Sequence, residues 1–108
     1  MQYKSWEIWW ARFAYNDKAN VYKPRPVLIV PFSDGTYLMA KITTHKPRCN
    51  WDHPIKQLVY SGLNKESTIC AGQLIKFTSI DLTKKIGDLH PIDIIEFQKK
   101  MKDYLKSV

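Results

Sequence analysis

The longest apolar run in the chain, Val27 to Phe32, is six residues long, follows Pro26 and contains Pro31. A helix that crosses a bilayer needs about 18 consecutive apolar residues. The run therefore reads as a short buried strand. Pro26 can open it without losing a ladder bond, and Pro31 points to an edge or bulge near its end. The tetrapeptide Ser33-Asp34-Gly35-Thr36 is a tight-turn signal, so a second strand, Tyr37 to Thr44, should fold back on the first as a hairpin. Period-two alternation puts Leu38, Ala40 and Ile42 on the core side of that strand and Met39, Lys41 and Thr43 on the other. It also puts Thr44 back on the core side.

The same periodicity predicts a first strand over Trp6 to Phe13, with Trp6, Ile8 and Trp10 on one face and Glu7 and Trp9 on the other. A tryptophan group of this kind builds core or dimer contacts more often than a base-stacking platform, although one of the three could serve as one. Residues Ala14 to Pro26 are polar and read as a long connection. His45 to Pro54 is irregular, Ile55 to Val59 reads as a short strand, Ser61 to Asn64 breaks the chain, and Ser67 to Phe77 is a further strand. A short piece after Asp81 ends at Gly87.

The period then changes. Pro91 suits the first position of a helix and Asp93 its first turn, where the dipole favours an acid. Ile94, Phe97, Met101, Tyr104, Leu105 and Val108 follow 3.6-residue spacing as one apolar stripe. About five strands closed by a C-terminal helix predict a mainly β fold, a small, partly open barrel or strongly bent sheet, in one domain over 1–108.

With 44% hydrophobic residues in 108, the chain can bury a core and is not disordered. Its net charge of +7 and pI of about 9.5 make a polyanion the first partner to consider. Residues 23 to 48 hold five cations, Lys23, Arg25, Lys41, Lys46 and Arg48, against Asp34, which concentrates four of the seven net charges in one segment. The two cysteines, Cys49 and Cys70, lack CxxC spacing and fit a reducing cytoplasm. The N-terminus has Glu7 within its apolar stretch and no small-residue cleavage site, which argues against a signal peptide.

Two constellations can carry chemistry. In Lys23-Pro24-Arg25-Pro26 the prolines hold the backbone extended around Arg25, which suits aiming a guanidinium fork at phosphate. A solvated basic strand start is the plainer alternative. In Thr43-Thr44-His45-Lys46-Pro47-Arg48 a hydroxyl, an imidazole and two cations gather at a strand end, where His45 could act as a general acid or base or bind phosphate. A basic turn without function is the alternative there. His45, Cys49 and His53, four residues apart, with Cys70 later, are zinc-type ligands, but the paired spacing is missing and Pro47 and Pro54 preclude an aligning helix. No metal or cofactor is expected.

Taken in order, these segments resemble the PemK/MazF family of toxin endoribonucleases. EIWWARFAY is similar to the family's first strand, KPRPVLIV to its (K/R)RPVLVV element, and YLMAKITTHKPR to its strand ending in Ile-Thr or Ile-Ser. GLNKEST resembles a Gly-Leu-x-Lys-x-Ser turn of a shorter branch, and KKIGDLHPIDIIEFQKKMKDYL the closing segment and helix. The resemblance implies an SH3-like, CcdB-type barrel, usually a homodimer, that cuts single-stranded RNA without metal through attack by the 2′-hydroxyl. It implies that Arg25 stabilises charge on the phosphate and that Thr43 is the accompanying hydroxyl. Lys23, Lys41, Thr44, Lys46 and Arg48 then bind RNA, and an acidic antitoxin neutralises the toxin in the cytoplasm.

Some relatives use an Arg and an Asp in a later strand. Cys70 and Gly72 stand at those places here, so His45 becomes the substitute acid. A catalytically inactive SH3-like module that binds nucleic acid or protein is the rival reading, and a gyrase-binding toxin on the same barrel is a third.

Overall fold

The computed structural model describes residues 3–14, 22–32, 35–76 and 82–107. In chain order these form β1 (Glu7–Ala14), β2 (Tyr22–Pro31), β3 (Tyr37–Thr43), β4 (Asp52–Pro54), α1 (Leu58–Ser61), β5 (Thr68–Lys76), β6 (Leu82–Asp88) and α2 (Pro91–Ser107). The six strands make one antiparallel sheet in the order β4-β5-β3-β2-β1-β6. Among the described residues β4 and β6 are its two edges and the sheet is unclosed. This is the expected mainly β architecture with a C-terminal helix, in its open form.

The β2–β3 hairpin follows its turn signal. Phe32 N–H donates to Thr36 O at 2.9 Å and Gly35 has φ +74°, a left-handed conformation that glycine adopts without steric cost. Ser33 and Asp34 lie outside the described residues. An unbroken apolar strand can be covered on both faces, and β2 is. Leu28 and Val30 enter a cluster with Ile8, Ala40, Ile69 and Phe97, while Val27 and Ile29 enter another with Trp9, Ala11, Met39 and Leu82. Helix α2 covers the first cluster through Phe97, Ile94 and Met101. Tyr3 and Tyr37, in edge-to-face contact at 5.2 Å, lie against the second with Ile75.

Alternation in β1 is as read, with Ile8 in one cluster and Trp9 in the other. The Trp9 indole N–H donates to Glu7 at 3.0 Å. Burial alone would raise the Glu7 carboxyl, but bonds from Lys85, Trp9 and the Lys4 amide outweigh it and hold the group below the usual range. Trp6 sits just outside the strand at φ +66°.

Four expectations need correction. The polar connection after β1 is shorter than Ala14–Pro26, because Tyr22 already begins β2 and Lys23-Pro24-Arg25-Pro26 pairs along its length with Phe13, Arg12, Ala11 and Trp10. Pro24 and Pro26 share a parity, and β3 pairs only from Val27 onward, so their missing donors can face the edge of β2 that has no ladder. The face of β3 expected to be outer is partly core, since Met39 pairs with Ile29 and is 2% exposed. The expected strand Ile55–Val59 is replaced by β4, three residues long within the supposedly irregular stretch, and by the single-turn helix α1. Finally, β3 stops at Thr43, and Thr44 is exposed rather than turned to the core.

Helix α1 ends on Gly62 at φ +81°, a left-handed cap whose N–H donates to Val59 O at 3.2 Å. There the backbone comes against β6. A Cβ on Gly62 would overlap the Ile86 carbonyl, and one on Gly87 would overlap the Ser61 carbonyl. Neither obstacle is a flexible side chain. Gly87→Ala is therefore expected to push α1 away from β6 at a cost of about 1–3 kcal/mol, with the melting temperature falling by roughly 4–8 °C per kcal/mol. An unchanged thermal melt would show that the contact is loose.

Candidate active site and nucleic-acid interface

The site is assembled where β2 runs on past the end of β3. The last bonded pair of that ladder is Val27↔Lys41. Continuing the register by two residues brings Arg25 level with Thr43, on the face that carries Val27 and Lys41. Arg25 is exposed, and its backbone is fixed from the other side by Ala11 of β1. The guanidinium thus leaves a strand, not a loose loop. Lys23 is two residues further along the same strand, and its side chain lies outside the described residues.

Beside Arg25 opens a cleft of about 380 Å³ lined by Trp10, Arg25, Thr44, Asn64, Lys65 and Ser67, with Pro24 and Pro26 as part of its wall. A neighbouring recess of similar volume is lined by Thr43, His45, Arg48, Cys49, Cys70 and Gly72, together with Lys46 and Asp52. The turn after β3 separates the two. In it His45 N–H donates to Thr43 Oγ1 at 3.3 Å, and Arg48 N–H donates to Asp52 Oδ2 at 2.9 Å. Lys41, His45, Lys46 and Arg48 are all exposed. The structure thus brings Arg25 and Thr44 to one cleft, and Thr43, His45, Lys46 and Arg48 to the next.

Cys70 and Gly72, which stand where some relatives carry an Arg and an Asp, line the recess with Thr43. Burial pushes the Cys70 thiol up, so Cys70 stands in the recess as a neutral thiol at neutral pH. The sequence reading offered Trp10 only as one of three tryptophans able to stack a base, and gave no role to Asn64, Lys65 and Ser67. Their signal was the GLNKEST turn, which could be recognised but not placed against β1 without the fold.

Of the zinc-type ligands, His45, Cys49 and Cys70 line that recess and His53 does not. Among the described residues no three His, Cys, Asp or Glu side chains converge as a metal site. His53 is instead wholly buried on β4, with Nε2 2.8 Å from Oδ1 of the equally buried Asp93 of α2. Asp93 also accepts from the backbone N–H groups of Lys56 at 2.9 Å and Gln57 at 3.0 Å. Burial by itself would raise the Asp93 carboxyl, yet these three bonds outweigh it and hold the group below the usual carboxylate range. Burial dominates at His53 and lowers its imidazole against the pull of Asp93. At neutral pH the ring is therefore neutral, Nε2 carries its proton toward the carboxylate, and Nδ1 is a buried acceptor without a partner among the described residues.

A model of the PemK-like, MazF-like toxins of type II toxin–antitoxin systems matches residues 4–105. This chain belongs to that family. Solved structures agree in fold. The Mycobacterium tuberculosis toxin MazF-mt6 superposes with a TM-score of 0.72 at 22% identity, over 93% of this chain and 96% of that one. An endoribonuclease from a mycobacterial species, solved in complex with its cognate antitoxin, gives a TM-score of 0.75 at 12% identity, over 94% and 93%. A further Mycobacterium tuberculosis toxin gives 0.63 at 22%, over 74% and 91%. No curated protein sequence matches.

The protonation states assigned to Asp93 and His53 set an acid limit on this toxin fold. Both groups bind fewer protons folded than unfolded, so stability is complete above about pH 6.5 and is lost as pH falls, first through the histidine range and then through the carboxylate range. His53→Gln keeps an N–H donor for Asp93 and removes the imidazole. Its melting temperature should stay flat from about pH 7 to 5.5, where the parent's declines. Parallel curves for the two proteins would refute the neutral assignment.

Proposed function

We propose that this chain is a metal-independent endoribonuclease that cuts single-stranded RNA at the junction of β2 and β3. The ribose 2′-hydroxyl attacks the adjacent phosphorus and loses its proton to solvent water, a new P–O bond closes a 2′,3′-cyclic phosphate, and the bond to the 5′-oxygen of the next nucleotide breaks. What supports this reading is the β2–β3 register, which ends at Val27↔Lys41 and, continued by two residues, puts Arg25 level with Thr43, at a strand end followed by the basic turn 44 to 48. Arg25 supplies a planar fork of donors to the phosphate as negative charge grows on its non-bridging oxygens. Thr43 offers a hydroxyl on the same face. His45, two residues on, is the candidate donor to the departing oxygen. Lys23, Lys41, Thr44, Lys46 and Arg48 hold the strand on either side through its phosphates.

The family assignment supports this chemistry, and the solved complex of an endoribonuclease with its cognate antitoxin supports a protein inhibitor. For this chain the antitoxin is proposed to be acidic, since a negatively charged segment would compete for the cations that bind phosphate. The toxin is further proposed to act in the cytoplasm as a homodimer, which would set two basic segments along one groove.

Removing one preorganised donor from a developing oxyanion costs about 3 kcal/mol, or a hundredfold or more in rate. Arg25→Ala should lose cleavage to that extent, and Arg25→Lys should not restore it, because lysine is a point charge without the fork. Thr43→Val should lose more than Thr44→Val. A parent rate for Arg25→Lys in a gel assay of labelled RNA would overturn the role of Arg25. Binding without any cleavage by the parent protein would favour a non-catalytic binding module. RNA affinity should fall by roughly a decade or more between 50 and 200 mM salt if several phosphates are contacted, and sedimentation at micromolar concentration should give the mass of a dimer.

A further inference from the structure

The three N-terminal tryptophans part ways in the fold. Trp9 is 6% exposed within the second core cluster. Trp6 packs on the first cluster, edge-to-face with Phe97 at 6.3 Å. Trp10 is 38% exposed and lines, with Pro26, the cleft that Arg25 borders from the next position of β2. An indole in that position forgoes the burial that Trp9 obtains.

The Trp10 backbone is paired on both edges, with register shifts in the β6 ladder before Trp9 and after Trp10. Trp10 pairs with Pro26 of β2 on one side and Lys84 of β6 on the other, and its carbonyl accepts from Thr83 Oγ1 at 3.2 Å. The indole thus projects from a strand held on both edges, beside the pyrrolidine of Pro26. Asn64 and Lys65 stand in the same cleft, on the segment anchored by the close approach of Gly62 to β6.

We propose that this cleft is a nucleobase subsite in which an unpaired base of the RNA, next to the phosphate held by Arg25, stacks on the indole of Trp10 while Asn64 hydrogen-bonds its edge. The proposal rests on the RNA-cleaving reading above and adds the residue that seats the substrate. Every base has a π-face, so Trp10 contributes affinity irrespective of sequence. The Asn64 amide carries both donors and an acceptor, which can discriminate among base edges. Lys65 neutralises an adjoining phosphate as a point charge.

The test uses short single-stranded RNA with 2′-fluoro riboses, which binds but lacks the attacking hydroxyl. Against this ligand Trp10→Leu should weaken binding by roughly 5- to 150-fold, the range for loss of one stacked base, and Trp10→Phe should retain most of the affinity. An abasic scan then separates stacking from support of the fold. One abasic position should weaken binding by the parent and cost Trp10→Leu nothing further. If Trp10→Leu does not fold, indole fluorescence of the parent gives the answer: RNA should quench it, the abasic oligonucleotide should not, and Trp10→Phe should show no such quench. Cleavable RNA should show Asn64→Ala altering the preferred base near the cut. Additive abasic and Trp10→Leu losses, or a quench unaffected by Trp10→Phe, would overturn the stacking subsite while leaving RNA cleavage standing. Failure of the parent to bind or cut any single-stranded RNA would instead overturn the reading beneath it.

Discussion

The carboxylate of Asp93 ties the helix to the sheet, and the geometry of the cleft follows from that tie. One acceptor on α2 takes hydrogen bonds from the β4 imidazole of His53 and from two successive backbone amides, those of Lys56 and Gln57, which lead into α1. A buried carboxylate so placed cannot be removed without depriving the buried His53 of its partner, at a cost of about 1–3 kcal/mol, and two part-buried amides of theirs. Its position decides where α1 starts. The single turn of α1 then carries the chain to Gly62, whose contact with β6 sets Asn64 and Lys65 opposite Trp10 and Arg25. Four residues of helix are too few to hold themselves in place by propensity. Asp93 at one end and the backbone contact at the other hold them.

A sheet covered on both faces along β2 gives the site a rigid floor. Leu28 and Val30 are locked by α2 and its neighbours, and Val27 and Ile29 by Trp9 and Met39, so the strand cannot slip by one residue without turning all four from one cluster to the other. Arg25 inherits that rigidity two residues beyond Val27. Its side chain, by contrast, is in water, as are those of Lys41, His45, Lys46 and Arg48. Exposed charges at high dielectric attract weakly. They gain strength when a bound strand excludes water from the cleft, which makes their effect greatest on the bound phosphate.

The parts of this architecture that depend on local patterning could be read from the chain. The period-two strands, the turn at Gly35 and the helix beginning at Pro91 each rest on signals within a few residues, and each is present. What could not be read depends on partners distant in sequence. Asp93 looks like an acid in a first turn, a role it does fill, but its three hydrogen-bond donors lie 36 to 40 residues away. Ile55 to Val59 has strand-like composition, yet Asp93 takes the amides at 56 and 57 that a ladder would have used. Met39 looked like an outer residue because the second cluster is built from β1, β2 and β6 together.

At the candidate site the legible and illegible parts divide in the same way. Arg25 and the basic turn stand out by composition, while the cleft depends on β1 and on the loop after Gly62 and therefore on the folded chain. The replacement of an expected Arg and Asp by Cys70 and Gly72 also has a physical consequence there. A neutral, buried thiol and a glycine bring no charge of their own to the recess, whose lining also holds the exposed Lys46 and Arg48 together with Asp52. On the proposed reading the developing charge of an in-line reaction is met from the β2 side, by Arg25, which the continued strand register brings level with Thr43. Such a site would concentrate on one residue what its relatives divide between two strands, which is why the fixed backbone of β2 matters more here than the number of positive charges around it.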